Sequence, residues 1–191
     1  MQEVRPAANA DAAEWLLGSE VDWWDLVRYG PPGFDVYLRI ALSAGCDGAD
    51  PMAEAPGVRK ALAALAGCTS TPNTAYVAIW EGWTSRGSRP EAPRLPIPNR
   101  GMLLFTGPLE RVRDAPALAW HGSAAGAGEG QEPHLVWPED RAWCLACEVD
   151  EEIEFTVGCS GSAARVLAEA LPSAVRRAHY GEPAPLYLEP E

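Results

Sequence analysis

Residues 141–149, RAWCLACEV, constrain the fold more than any other stretch of the chain. In a strand, successive side chains point to opposite faces. Ala142, Cys144 and Ala146 then share one face, and Trp143, Leu145 and Cys147 share the other. Both faces are apolar, so the stretch predicts a central strand, bracketed by charge at each end. A chain with such a strand has to supply neighbours on its edges and cover above and below.

Candidate neighbours are present. Val36, Leu38, Ile40 and Leu42 alternate along a strand over 36–42, and AYVAIWEGW over 75–83 has the β-branched and aromatic content of a second central strand. Shorter strands are predicted over 102–106, 134–137 and 153–157. Val58, Ala61, Leu62 and Leu65 recur at helical spacing before Gly67, which predicts an amphipathic helix. A second helix is predicted over 163–171 and a partly helical stretch over 109–119. At the N-terminus, residues 1–30 form a helical segment broken at Gly18 and Ser19 and stopped by GPPGF, whose prolines lack amide donors.

The chain has 18 Gly and 18 Pro, which predicts long irregular connections, chiefly flexible loops over 84–99 and 121–133, and an extended tail over 180–191. Strands that are mostly sequence neighbours suggest an α+β fold. The expectation is a single domain over 1–191, with an antiparallel or mixed central sheet of about 5–6 strands and helices packed mainly on one face.

A net charge of −12 opposes a nucleic-acid or anionic membrane surface, because phosphate binding needs clustered cations. It permits a basic protein partner. No window approaches the roughly 20 apolar residues of a membrane helix, and the first residues lack the basic and apolar regions of a secretory signal. The expectation is a cytoplasmic protein. Five cysteines without a secretory context point to reduced thiols. Strand parity sets Cys144 and Cys147 on opposite faces, so they cannot chelate one ion together, and packing cysteines are expected. Neither a metal nor a cofactor is implied.

Three stretches carry a resemblance: WWDLVRYGPPGFDVYLRI, TPNTAYVAIWEGW and EPHLVWPEDRAWCLACEVDEEIEFTVGCS. They resemble a group of uncharacterised actinobacterial proteins that share a Trp-Glu-Gly strand, a WPEDRAW segment and a Val-Gly-x-Ser turn before a helix. The resemblance runs from about residue 23 to residue 171 and implies no activity, cofactor or catalytic residue.

Candidate binding residues cluster at the two ends of the central strand. Glu139, Asp140, Glu148, Asp150, Glu151, Glu152 and Glu154 are offset within 139–154 only by Arg141. Glu148 and Asp150 share a face if the strand continues, a spacing that suits a divalent cation or acid–base chemistry. If VDEEI is instead a hairpin turn, its acids are solvated, which is the expectation for charged side chains. In WPEDRAW, Asp140 and Arg141 beside Trp137 and Trp143 could form a pocket with the Arg stacked on an indole, or simply a stapled turn. Gly158, Ser160, Gly161 and Ser162 lie between a strand and a helix, where free amides can hold an anion, with Arg100 as a further cation, or where a serine simply caps the helix. They match neither the Walker nor the dinucleotide pattern.

Three functions follow as expectations. The first is a non-enzymatic acidic interaction protein, of the immunity or antitoxin kind, that engages a basic partner through Trp137, Glu139, Asp140, Arg141, Glu148 and Asp150. The second is an enzyme built on Glu81, Asp140 and Glu148 near the WPEDRAW turn, with Arg100 or Arg141 clamping an anion. The third is binding of a small anion or nucleotide at Gly158, Ser160, Gly161 and Ser162. A homo-oligomer is compatible with each.

Overall fold

The computed structural model describes residues 4–44, 56–82, 91–114 and 133–187. Nine strands form one sheet: β1 (Arg5–Pro6), β2 (Val36–Ala41), β3 (Ala75–Trp80), β4 (Arg94–Leu95), β5 (Met102–Gly107), β6 (Leu135–Pro138), β7 (Trp143–Ala146), β8 (Glu154–Cys159) and β9 (Val175–Ala178). Their order is β1-β5-β3-β6-β7-β8-β2-β9, with β4 also on β5, and every pairing is antiparallel. The architecture is therefore α+β.

The expected strand number is corrected upward. The six strands legible from their apolar pattern make the continuous middle of the sheet, and β1, β4 and β9 are additions to it. Two of these additions are only two residues long, and β9 reads Val-Arg-Arg-Ala, so none has a hydrophobic alternation to reveal it. Their place is set by backbone hydrogen bonds to a partner strand. Short or charged strands of this kind also keep a sheet edge from pairing with other chains.

Two apolar layers sandwich the sheet. On one face, Val36, Leu38, Ile40, Val77, Ile79, Phe105, Trp143, Leu145, Phe155 and Val157 pack under α3 (Pro56–Leu65), α4 (Leu109–Asp114) and α5 (Gly161–Ala170). Helix α3 contributes Val58, Ala61, Leu62 and Leu65, the four positions its sequence spacing picks out. Trp143 ties sheet to helix by donating from Nε1 to the carbonyl of Leu65 (3.2 Å). On the other face, Ala78, Leu104, Leu135, Trp137, Cys144 and Ala146 lie under the N-terminal helices α1 (Glu14–Leu17) and α2 (Trp23–Tyr29), through Leu16, Leu26 and Val27. The ten-residue helices α3 and α5 thus share one face, and short helices cover the other.

The central strand is shorter than 141–149. It spans Trp143–Ala146, because Arg141 adopts a left-handed conformation (φ 56°) in the turn that precedes it. Its parity holds from Trp143 onward: Cys144 and Ala146 enter one layer, Trp143, Leu145 and Cys147 the other. Ala142, still in the turn, packs instead on the Trp143 side.

The broken N-terminal helix is seen as a short 3-10 turn (Asp11–Ala13) followed by α1 and α2. Asp22 caps α2 by accepting from the amide of Trp24 (2.8 Å), and Gly30 (φ 73°) ends it. The tail from Tyr180 to Tyr187 runs against α2: Tyr29 donates to Glu182 O (2.6 Å), Arg28 to Ala184 O (3.1 Å), and Tyr180 to Gly30 O (2.9 Å). Of the two expected flexible loops, 84–90 and 121–132 lie outside the described residues; 94–95 of the first is strand β4.

Candidate functional site

Each end of β7 carries a distinct polar arrangement. At its start, the turn after β6 turns its residues two ways. Asp140 reaches the 69–71 loop: its carboxylate accepts from Ser70 N (2.7 Å), Ser70 Oγ (2.7 Å), Thr69 Oγ1 (2.8 Å) and Ala142 N (3.2 Å), while its own amide donates to Thr71 Oγ1 (3.1 Å). Partial burial pushes this carboxyl up, but the bonds from Ser70 and Thr69 outweigh it and hold it below its ordinary range. Asp140 is a staple, occupied entirely within the fold.

Glu139 and Arg141 line a cleft of about 700 Å³ together with Arg5, Asp11, Tyr76 and Trp137. The guanidinium of Arg141 lies 5.3 Å from the ring centre of Trp15. Trp15 meets Trp137 edge-on (6.2 Å, 70°), and Trp137 stacks on Tyr76 (5.7 Å, 24°). The expected Arg–indole stacking therefore forms, but on Trp15 from α1; Trp143 is buried in the opposite layer. Trp15 Nε1 is buried without a hydrogen-bond partner among the described residues.

At the far end of β7, Glu148 and Asp150 converge on an arginine. Arg100 donates from Nε to Glu148 (2.5 Å) and from Nη2 to Asp150 (2.9 Å), and Asp150 N donates to Glu148 Oε2 (2.6 Å). The same guanidinium lies near the rings of Trp80 (5.8 Å) and Trp23 (5.9 Å). His134 is buried beside it, and its Nδ1 accepts from the amide of Trp80 (3.0 Å). Burial first, and then the positive charge of Arg100, push its pKa down to about 3.

The expectation of a hairpin with solvated acids is overturned at Glu148 and Glu151, both buried. Glu151 accepts from Arg39 (3.0 Å) and Arg28 (3.3 Å), and Arg39 also donates to Glu154 (3.1 Å) and Thr156 (3.2 Å). Arg176 pairs with Glu154 and Glu182 at the rim of this group. Carboxylates can be buried here because arginines from β2, α2 and the 91–100 segment fold onto them. Of the seven acids in 139–154, only Glu139 and Glu152 are exposed without an internal partner among the described residues.

The Gly158, Ser160, Gly161 and Ser162 turn is used as a helix cap. Ser160 Oγ accepts from Ala163 N (3.3 Å) at the start of α5 and shares a hydrogen bond with Ser162 Oγ (2.9 Å). Gly158 belongs to β8, where a Cβ would come within 2.5 Å of the Phe34 ring. Arg100 is committed elsewhere, to Glu148 and Asp150.

The carboxylates considered for catalysis are not brought together. Glu81 binds Arg94 (2.7 Å), Asp140 binds the 69–71 loop, and Glu148 binds Arg100. Among the described residues, no three His, Cys, Asp or Glu side chains are grouped so as to hold a metal ion, and no helix is long and apolar enough to cross a membrane.

Sequence reasoning missed Arg5 and Tyr76 at the cleft, Trp15 under Arg141, and Arg28 and Arg39 in the buried ion group. Only Arg39 left a signal, as a charge in the middle of the apolar strand VYLRIA. No family model, curated protein or solved structure matches the chain.

Proposed function

We propose that this is a non-enzymatic binding protein that presents an acidic, tryptophan-bearing face to a basic protein partner, in the manner of an immunity protein or antitoxin. One observation carries the reading: the acids of the central motif are largely neutralised by arginines inside the fold, whereas those of residues 11–25 have no cationic partner among the described residues. Asp11, Glu14, Glu20, Asp22 and Asp25 fall within fifteen residues that contain no cation, and none is ion-paired among the described residues. Leu17 is exposed beside them, and Trp23 and Trp24 are half-buried.

This face has what an interface hot spot needs. Trp23 and Trp24 pack edge-on at 5.5 Å, Arg100 lies over the first and Arg28 over the second. Indoles fixed in this way lose little entropy on binding, and the surrounding carboxylates favour encounter with a positive surface. The surface thus shifts from residues 139–150 to 11–25, with Glu139 as the exposed acid that the motif still offers. The mostly buried thiols of Cys68, Cys144, Cys147 and Cys159 suit the reducing cytoplasm, where we place the protein.

The test is retention from cell extract on the immobilised protein, followed by a salt gradient and identification of what elutes. A Glu14→Gln/Glu20→Gln/Asp22→Asn variant keeps the α2 cap, since Asn caps a helix as well as Asp. The reading expects a basic protein that is released by salt and not retained by the triple variant or by Trp23→Ala. Equal retention by all three proteins, or no basic protein at low salt, overturns it.

A further inference from the structure

The geometry points to a binding site for a small aromatic carboxylate in the cleft at the 138–141 turn, with Arg5 and Arg141 holding the carboxylate and Tyr76 receiving the ring. This inference is independent of the protein-binding face on the N-terminal helices.

The first ground is charge left unclosed. Arg28, Arg39, Arg100 and Arg176 each close onto carboxylates. Among the described residues, Arg5 and Arg141 do not, although Glu139 and Asp11 line the same cleft. Opposite charges that share a recess of about 700 Å³ without pairing leave room between them, and that volume is of the size that holds a small ligand, about 300–1,000 Å³.

The second ground is that Arg141 is held in place. Its backbone is left-handed (φ 56°), a conformation that costs a non-glycine residue about 1–2 kcal/mol and that glycine or asparagine fills more easily. The side chain present there is nonetheless a long cation, laid on the Trp15 indole. A guanidinium fixed by stacking is pre-organised for the two-pronged bond that carboxylates make with arginine.

The third ground is the floor. Tyr76 is half-buried and backed by Trp137, which gives a rigid aromatic surface for a second ring, in an offset or edge-on arrangement. Glu139 and Asp11 limit the charge the cleft accepts: two guanidiniums facing two carboxylates suit a monoanion and disfavour a phosphate dianion.

Isothermal titration calorimetry with benzoate, phenylacetate and indoleacetate tests the site, with inorganic phosphate and adenosine monophosphate as competing anions. The wild type is expected to bind at least one aromatic carboxylate saturably and neither phosphate compound comparably. Arg141→Gly suits the left-handed backbone and keeps the melting temperature, yet weakens binding by about tenfold or more, as does Arg5→Ala; that is the loss of one charge-assisted pair. Three results overturn the inference: no saturable binding of any of the three carboxylates, binding of phosphate or adenosine monophosphate as tight as theirs, or unchanged affinity in Arg141→Gly.

Discussion

Arg39 and Glu151 meet at 3.0 Å with both side chains sealed from solvent, at most 1% exposed. The pair exists because α2 and the C-terminal tail close over the β2–β8 seam and bring Arg28 and the Tyr29 ring against it. Burial pushes the Glu151 carboxyl up, against the pull of both guanidiniums. Such a pair adds little over an apolar replacement, but removal of one partner strands the other charge in the interior, at a cost of about 3–5 kcal/mol. Glu151→Ala should lose that much in urea unfolding, and Arg28→Met/Arg39→Met/Glu151→Met, which leaves Glu154 with Arg176, should recover part of it. A loss in Glu151→Ala below about 1 kcal/mol, the range of a surface pair, would show that the group is hydrated.

His134 should make stability depend on pH in a window of its own. Its folded pKa, about 3, lies below the ordinary 6.5, so between those values the unfolded chain holds the extra proton. Stability is then unaffected above pH 6.5 and falls as pH drops toward 3, by up to about 1.4 kcal/mol per pH unit. The depressed carboxyls Asp140, Glu154 and Glu182 act in the same direction, but only below their ordinary values of 3.8 and 4.5. Glu151, pushed above 4.5, acts in the opposite sense within this range, so the histidine is read from the difference between the wild type and a His134 variant in denaturant midpoints taken between pH 4.5 and 6.5. His134→Asn keeps an acceptor for the Trp80 amide and should flatten the slope there; an identical slope in both proteins would assign it elsewhere.

What could be read from the sequence follows from what each pattern reports. Alternation in VYLRIA and WCLA, and helical spacing from Val58 to Leu65, report burial against a face, so the six middle strands and α3 were legible. Strands β1, β4 and β9 are too short or too charged to show an alternation, although β4 buries Leu95, and they are paired with strands read elsewhere in the chain, as in Arg5 with Thr106 or Arg94 with Leu103. The polar regions divide in the same way. The WPEDRAW turn was legible because its residues are neighbours, but its staple was not, since Asp140 binds Ser70 and Thr69 from a distant loop and Trp15 reaches Arg141 across 126 positions of chain. Acid-rich stretches look solvated in sequence because their arginines come from elsewhere: Arg28, Arg39 and Arg100 arrive from three separate segments.

The thiols provide a check on the two-layer core. Burial pushes Cys144 up and raises Cys159 to about 12, and Cys147 is buried as well, while Cys68 is half-exposed with a smaller upward shift. Since the thiolate is the reactive form, a Cys46→Ser background should show a single accessible thiol in the native state, assigned to Cys68 by peptide mapping. The other three should react only with unfolding. Fast labelling of Cys144 in the native protein would mean that α2 does not stay seated on the sheet.

The turn before α5 can be tested as a cap or as an anion site by comparing neighbours with different duties. Ser160 supplies the oxygen that meets the Ala163 amide, so Ser160→Ala should cost about 0.5–2 kcal/mol. Gly158 makes room for Phe34 and Tyr37, each within 3.0 Å of where a Cβ would sit, so Gly158→Ala should cost about 1–3 kcal/mol through overpacking. Gly161 has nothing within 4 Å of its Cβ position, so a methyl there is sterically free. Gly161→Ala should be neutral or stabilising, because alanine is the better helix former by about 1 kcal/mol. If the turn only caps α5, phosphate raises the melting temperature of all four proteins equally. A phosphate-dependent rise present in the wild type and absent in Ser160→Ala, with Gly161→Ala unchanged, would restore an anion-binding role to the turn.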